Sequence, residues 1–203
     1  MRPLLLALPL LAGSCASVPS RSTAPLPGDD AFASRLALQA GLRSFDEGDW
    51  APVDDQGVLG IEYVYEPAES SVGVEVGFHA SERTEDDFRI PPMAVVDVAG
   101  RTSELSLGLR KTVPVELDGV HPYVAGGLSI LHAELEGESG GQPADDEDDS
   151  GGIYLRGGVE FDLSRSFFLG IDLRVRGGSE VELFGSDGSA DYGQVALVLG
   201  VRF

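Results

Sequence analysis

From Arg35 to the last residue the chain alternates apolar and polar positions with a period of two. Successive side chains of a strand point to opposite faces, so this period predicts strands; no segment sustains a helical period. The seventh segment is the clearest, with Phe167, Leu169, Ile171, Leu173 and Val175 opposite Gly170, Asp172, Arg174 and Arg176. The first sets Leu36, Leu38, Ala40 and Leu42 against Arg35, Gln39, Gly41 and Arg43, and the second sets Leu59, Ile61, Tyr63 and Tyr65 against Gly60 and Glu62. In the third, Val72, Val74, Val76 and Phe78 oppose Gly73, Glu75, Gly77 and His79; in the fourth, Leu105, Leu107 and Leu109 oppose Glu104, Ser106, Gly108 and Arg110. The fifth, Tyr123 to Leu135, is Gly-rich and its facing is ambiguous. The sixth sets Ile153, Leu155, Val159 and Phe161 against Tyr154, Arg156, Gly158, Glu160 and Asp162. The eighth closes the chain with Val195, Leu197, Leu199, Val201 and Phe203 opposite Gln194, Gly200 and Arg202.

The connections alternate in length. Short turns are expected at Glu66 to Ser70, at Val113 to Val120 with Pro114 and Asp118-Gly119 as turn residues, and at Leu163 to Ser166. The other four, Asp46 to Gln56, Glu82 to Arg101, Glu136 to Gly151 and Gly178 to Tyr192, are longer and acidic, and are expected as loops. Short turns at one rim and long loops at the other are the plan of a transmembrane barrel. The fold class this predicts is all-β, an eight-stranded antiparallel up-and-down transmembrane β-barrel over residues 35–203.

Composition narrows the partners. The 203 residues carry a formal net charge of -20, which excludes the basic face that nucleic acid demands. Lys111 is the single lysine.

At the start, Arg2 and the apolar run Leu4 to Ala12 read as an export signal over residues 1–16, with Gly13, Ser14 and Ala16 as small residues of a cleavage zone. That run is too short for a membrane-spanning helix. Leu11-Ala12-Gly13-Ser14-Cys15 also resembles a lipobox, in which Cys15, the single cysteine, would be lipidated; ordinary cleavage after Ala16 is the alternative. Residues 17–34, with Pro19, Pro25 and Pro27, read as an extended linker.

Alternation does not by itself say which face meets lipid, and a soluble lipocalin-like barrel that binds an apolar ligand is the inside-out alternative. The polar face carries glycines and charges of both signs, as suits a narrow interior. Glu62, Glu75, Glu104, Arg110, Arg156, Glu160, Asp172 and Arg174 are therefore expected to form a charge network across the lumen, because an isolated charge there is costly to desolvate. Arginine suits the task, since its planar fork binds carboxylates bidentately.

The alternating strands, the turn-and-loop rhythm and the terminal Phe203 resemble the small outer-membrane β-barrel family typified by the OmpA transmembrane domain and OmpX. The resemblance covers about Arg35 to Phe203. It implies a bacterial outer-membrane location, with outer-membrane lipid and the barrel assembly machinery as partners. The resemblance also implies that Val195, Leu197, Leu199, Val201 and Phe203 are the signal read by that machinery. An eight-stranded barrel is just wide enough for side chains to fill, so the paired charges predict a plugged lumen, and with the long acidic connections as external loops the expectation is a monomer with a structural or surface-interaction role.

Enzymatic chemistry is not expected. His79-Ala80-Ser81 has the His-x-Ser form found in the barrel enzyme that deacylates lipid A, where a base must activate a serine. Here Glu82 stands where that family has Asn, and no partner acid is recognisable. The run Asp145-Asp146-Glu147-Asp148-Asp149 offers hard oxygen ligands suited to Ca²⁺, yet lacks EF-hand spacing and reads as a solvated loop tip. No cofactor or metal is expected.

Overall fold

The computed structural model describes residues 34–67, 70–90, 94–139, 142–183 and 185–203. The export signal, Cys15 and residues 17–33 of the linker lie outside the described residues.

Eight strands close into one antiparallel barrel: β1 (Ser34–Phe45), β2 (Asp55–Tyr65), β3 (Val72–Ile90), β4 (Ala94–Thr112), β5 (Val120–Ser139), β6 (Gln142–Asp162), β7 (Phe167–Gly177) and β10 (Tyr192–Arg202). Closure comes from β1 pairing with β10, with Leu38 opposite Leu199, so within the barrel wall each of the eight strands has two neighbours. In lipid this matters because an unpaired backbone amide has no water to turn to. Leu36 is connected by register through β2 to β6 to Gly177, and through β10 to Phe167, ten residues apart on β7 (177 − 167). That stagger means the strands tilt and every cross-strand row climbs the barrel from β10 through β1 toward β6.

The alternating apolar positions face outward. Ile171 is 50% exposed, Leu173 61%, Leu107 59% and Leu197 60%, while Asp172, Arg174 and Arg110 are buried inside. The inside-out, lipocalin-like alternative is thereby overturned. The facing of β5, ambiguous in sequence, resolves as Tyr123, Ala125 and Ser129 inward with Val124, Leu128 and Ile130 outward.

The expected loops required correction. Residues 82–90 and 94–101 prolong β3 and β4 as a paired ladder, with a register shift between Glu85 and Phe88. The acidic run Asp145 to Asp149 belongs to β6 and pairs with His132 to Glu136 of β5, so it is strand and not loop tip. Carboxylates disfavour strands by propensity, but Leu131, Ala133 and Leu135 on β5 supply an apolar face that holds the ladder together. Two further elements occupy expected loops: the one-turn helix α1 (Glu47–Trp50) and a hairpin of β8 (Glu180–Leu183) and β9 (Ser186–Ser189). Gly119, in the Asp118-Gly119 turn, and Gly185, between β8 and β9, both take φ of 72°, a left-handed conformation favourable only for glycine.

Candidate functional site: the lumen and its outer mouth

The inward positions left by strand alternation converge on the barrel axis, where the tilt brings distant strands into contact. Glu104 of β4 is fully buried and meets Arg43 of β1 at 2.9 Å and Arg174 of β7 at 2.7 Å. Tyr192 donates to the same carboxylate, and Arg176 lies 3.9 Å from it. Arg176 is held in place by Ser129 Oγ and by the carbonyls of Ser150 and Ala190.

A second set lies nearer the short-turn rim. Arg156 contacts Glu62, binds Asp172 at 2.9 Å through Nε and Nη2, and lies 3.6 Å from Glu75. Arg110 pairs with Glu160 and sits 3.6 Å from Glu62. Glu160 also accepts from Arg35 at 2.9 Å and Arg202 at 3.0 Å. All eight charged residues singled out from sequence are therefore inward and buried, but their ion pairs fall into two sets. Glu104 and Arg174 belong to one; Glu62, Glu75, Arg110, Arg156, Glu160 and Asp172 belong to the other.

Aromatic rings fill what the charges leave, and sequence reasoning did not single them out. Arg110 stacks on Tyr123 at 3.5 Å and Arg174 on Tyr154 at 4.0 Å. Tyr154 donates to Glu75 at 2.7 Å, so it joins the two charge sets. Room for these rings comes from inward glycines. A Cβ on Gly108 would sit 2.1 Å from the Tyr154 hydroxyl, and one on Gly158 would sit 2.6 Å from the Tyr123 hydroxyl. Tyr123 is registered opposite Gly158, and Phe168 opposite Gly200. This alternation of large rings with bare backbone was a readable signal.

The outer mouth is apolar. Phe45, Trp50, Leu131, Ala133, Val181, Leu183, Ala190 and Tyr192 form one buried cluster above Arg43 and Arg176. Asp46 caps α1 by accepting from the Gly48 amide, which orients Trp50 to stack on Phe45 at 4.3 Å. Trp50 Nε1 donates to the Ser189 carbonyl at 2.7 Å, and Asp49 accepts from the Ser189 amide at 2.8 Å. Asp148 accepts from the Glu182 amide, so the hairpin is clasped from two sides. At the opposite end Ala37, Phe168 and Val198 form a smaller apolar cluster.

His79 and Ser81 both face the lumen, yet each has another partner. His79 Nε2 meets Gln39 Oε1 at 3.1 Å, while Ser81 Oγ donates to Gln56 Oε1 at 2.6 Å and meets Thr102 Oγ1 at 2.6 Å. His121 meets Asp162 at the short-turn rim, and His132 meets Asp149 near the outer rim. Among the described residues no group of three or more His, Cys, Asp or Glu converges to hold a metal ion. The five residues of the terminal strand singled out from sequence, Val195, Leu197, Leu199, Val201 and Phe203, follow the outward face of β10 and its end; the Phe203 amide donates to the Ser34 carbonyl at 3.0 Å.

Comparison with known proteins agrees with this geometry. The family model described as the outer membrane protein beta-barrel domain matches residues 6–203. Among solved structures, the outer membrane protein OprG from Pseudomonas aeruginosa superposes with a TM-score of 0.57 at 14% identity, covering 84% of this chain and 96% of that one. Neisserial surface protein A gives 0.56 at 13% identity, with coverage of 84% and 96%. Ail, the attachment invasion locus protein of Yersinia pestis, gives 0.52 at 16% identity, again with 84% and 96%. At such identities the likeness is one of fold. No curated protein matches the sequence.

Proposed function

The chain belongs to the outer membrane protein β-barrel domain family, a protein of the bacterial outer membrane, and from that premise we propose that it is a closed surface barrel and neither a pore nor an enzyme. The observation that carries this reading is the filled lumen, with Arg43, Glu104 and Arg174 buried across it beneath the Trp50 cluster. An eight-stranded barrel has an interior just wide enough for side chains to fill. Paired charges in a low-dielectric interior resist opening, because separating one pair orphans two ions.

The working surface is then the acidic outer ladders, which carry Glu134, Glu136 and the run from Asp145 to Asp149. Ail has been crystallised with the heparin analogue sucrose octasulfate, a polyanion. Acidic ladders favour cationic or neutral partners over such a ligand. A non-enzymatic role is supported by Ser81 being engaged by Gln56 and Thr102 and not by His79, since nucleophile activation requires a base within hydrogen-bond reach. We further propose Cys15 as a lipid attachment point and the terminal strand as the assembly signal, with a monomer as the assembled form.

Liposome swelling tests the closed-barrel reading. Vesicles containing the folded protein should swell in small sugars no faster than protein-free vesicles; rapid swelling would identify a porin instead.

A further inference from the structure

The cap over the mouth holds a pocket of its own, which the closed-barrel reading does not use. A cavity of about 310 Å³ lies between α1, the β8–β9 hairpin and β5, walled by Trp50, Leu135, Val181 and Leu183. That volume suits a small molecule, since ligand pockets run from about 300 to 1,000 Å³. Trp50 stacks on Phe45 and spends its one polar side-chain atom, Nε1, on the Ser189 carbonyl, so it offers the pocket carbon alone. Gly48, Asp49 and Asp187, all exposed, line the way out to solvent.

Polarity changes at that opening. Asp49, Asp187 and Gly188 also line a second cavity, of about 650 Å³, with Glu180 and Asp191 on its wall. Asp191 accepts from the amide and hydroxyl of Ser179, at 3.0 and 2.7 Å, while Asp49 gives only Oδ2, to the Ser189 amide at 2.8 Å. Among the described residues no arginine or lysine lines either cavity. In the lumen, by contrast, Glu62, Glu104, Glu160 and Asp172 each meet an arginine. Carboxylates gathered without a cation repel one another, and a positive charge placed among them relieves that repulsion.

Gly188 joins the two spaces. A Cβ there would lie 3.5 Å from the Asp49 Cβ, an ordinary contact, so a side chain is tolerated at this position and the bare glycine leaves the passage open. A small apolar pocket that leads into carboxylates without a counter-ion matches a molecule with an apolar body and a cationic end. We propose that the cap pocket binds a small arylalkyl amine, its ring against Trp50 and Leu135 and its ammonium between Asp49 and Asp187. The apolar wall holds the ring, and charge-assisted hydrogen bonds hold the ammonium.

Trp50 is the single tryptophan, so its fluorescence reports on the pocket directly. Titrating the folded protein in uncharged maltoside micelles with phenethylamine should shift the emission along a saturable, one-site curve. Phenylacetate, with the ring and the opposite charge, should leave the emission unchanged. Ethylamine, with the charge and no ring, should require a concentration at least about tenfold higher. Asp187→Asn should weaken phenethylamine binding about tenfold, and Gly188→Val, which fills the passage, should abolish saturation. Asp145→Asn, outside both cavities, should bind as wild type does. If Gly188→Val does not fold, Asp187→Asn carries the test alone. Equal responses to phenethylamine and phenylacetate, an emission change that never saturates, or wild-type affinity in Asp187→Asn would each overturn the proposal. Conductance plays no part in this readout, so such a failure would leave the closed-barrel reading standing.

Discussion

The Arg174 guanidinium lies 4.0 Å from the centroid of the Tyr154 ring, while the hydroxyl of that ring donates to Glu75 at 2.7 Å. One side chain thus ties the charge set around Glu104 to the set around Arg156. Tyr154→Phe keeps the cation–π contact and removes only the donor, leaving Glu75 short of a partner, and should cost about 1–3 kcal/mol. Tyr154→Ala removes both and leaves a cavity, at about 3–5 kcal/mol. Urea unfolding in lipid vesicles, followed by tryptophan fluorescence, measures both. Equal, negligible losses would mean that the two sets stand independently.

Burial should decide the cost of losing an arginine. Arg156→Met removes the cation that pairs with both Glu62 and Asp172 in the lumen and should cost about 3–5 kcal/mol. Arg101→Ala breaks an exposed pair with Glu136 and should cost no more than about 1 kcal/mol. The same unfolding assay ranks them; similar costs would place Arg156 in water.

Which face meets lipid is tested by Ile171→Arg. Ile171 lies midway along the outward row of β7, and a guanidinium near the bilayer midplane costs roughly 2–4 kcal/mol. Heat-modifiable migration on cold gels should reveal a reduced folded fraction. Folding into vesicles at wild-type yield would mean that this row is not in the hydrocarbon.

The barrel itself was legible because one physical constraint repeats along every strand. Leu169, Ile171, Leu173 and Val175 must meet lipid while Asp172 and Arg174 must avoid it, and alternation records both demands. Membership of the lumen followed from the same parity. Pairing did not: Arg43 and Glu104 are 61 residues apart and meet because the barrel stagger lifts β4 relative to β1, a quantity no local pattern carries. The mouth was hidden for a different reason. Val181 and Leu183 alternate with Glu180 and Glu182, but four residues are too few to distinguish a strand from chance. The acidic run on β6 misled because its apolar support comes from the partner strand, where Leu131 and Ala133 are fully buried.

The central claim is that packed charges and the Trp50 cap close the lumen, and single-channel recording in planar bilayers tests it most directly. Wild type should show no steady open level, and Arg43→Ala combined with Trp50→Ala, which removes a lumen-spanning cation and the ring stacked on Phe45, should produce openings that favour cations. A large, steady conductance from the wild-type protein would contradict the account.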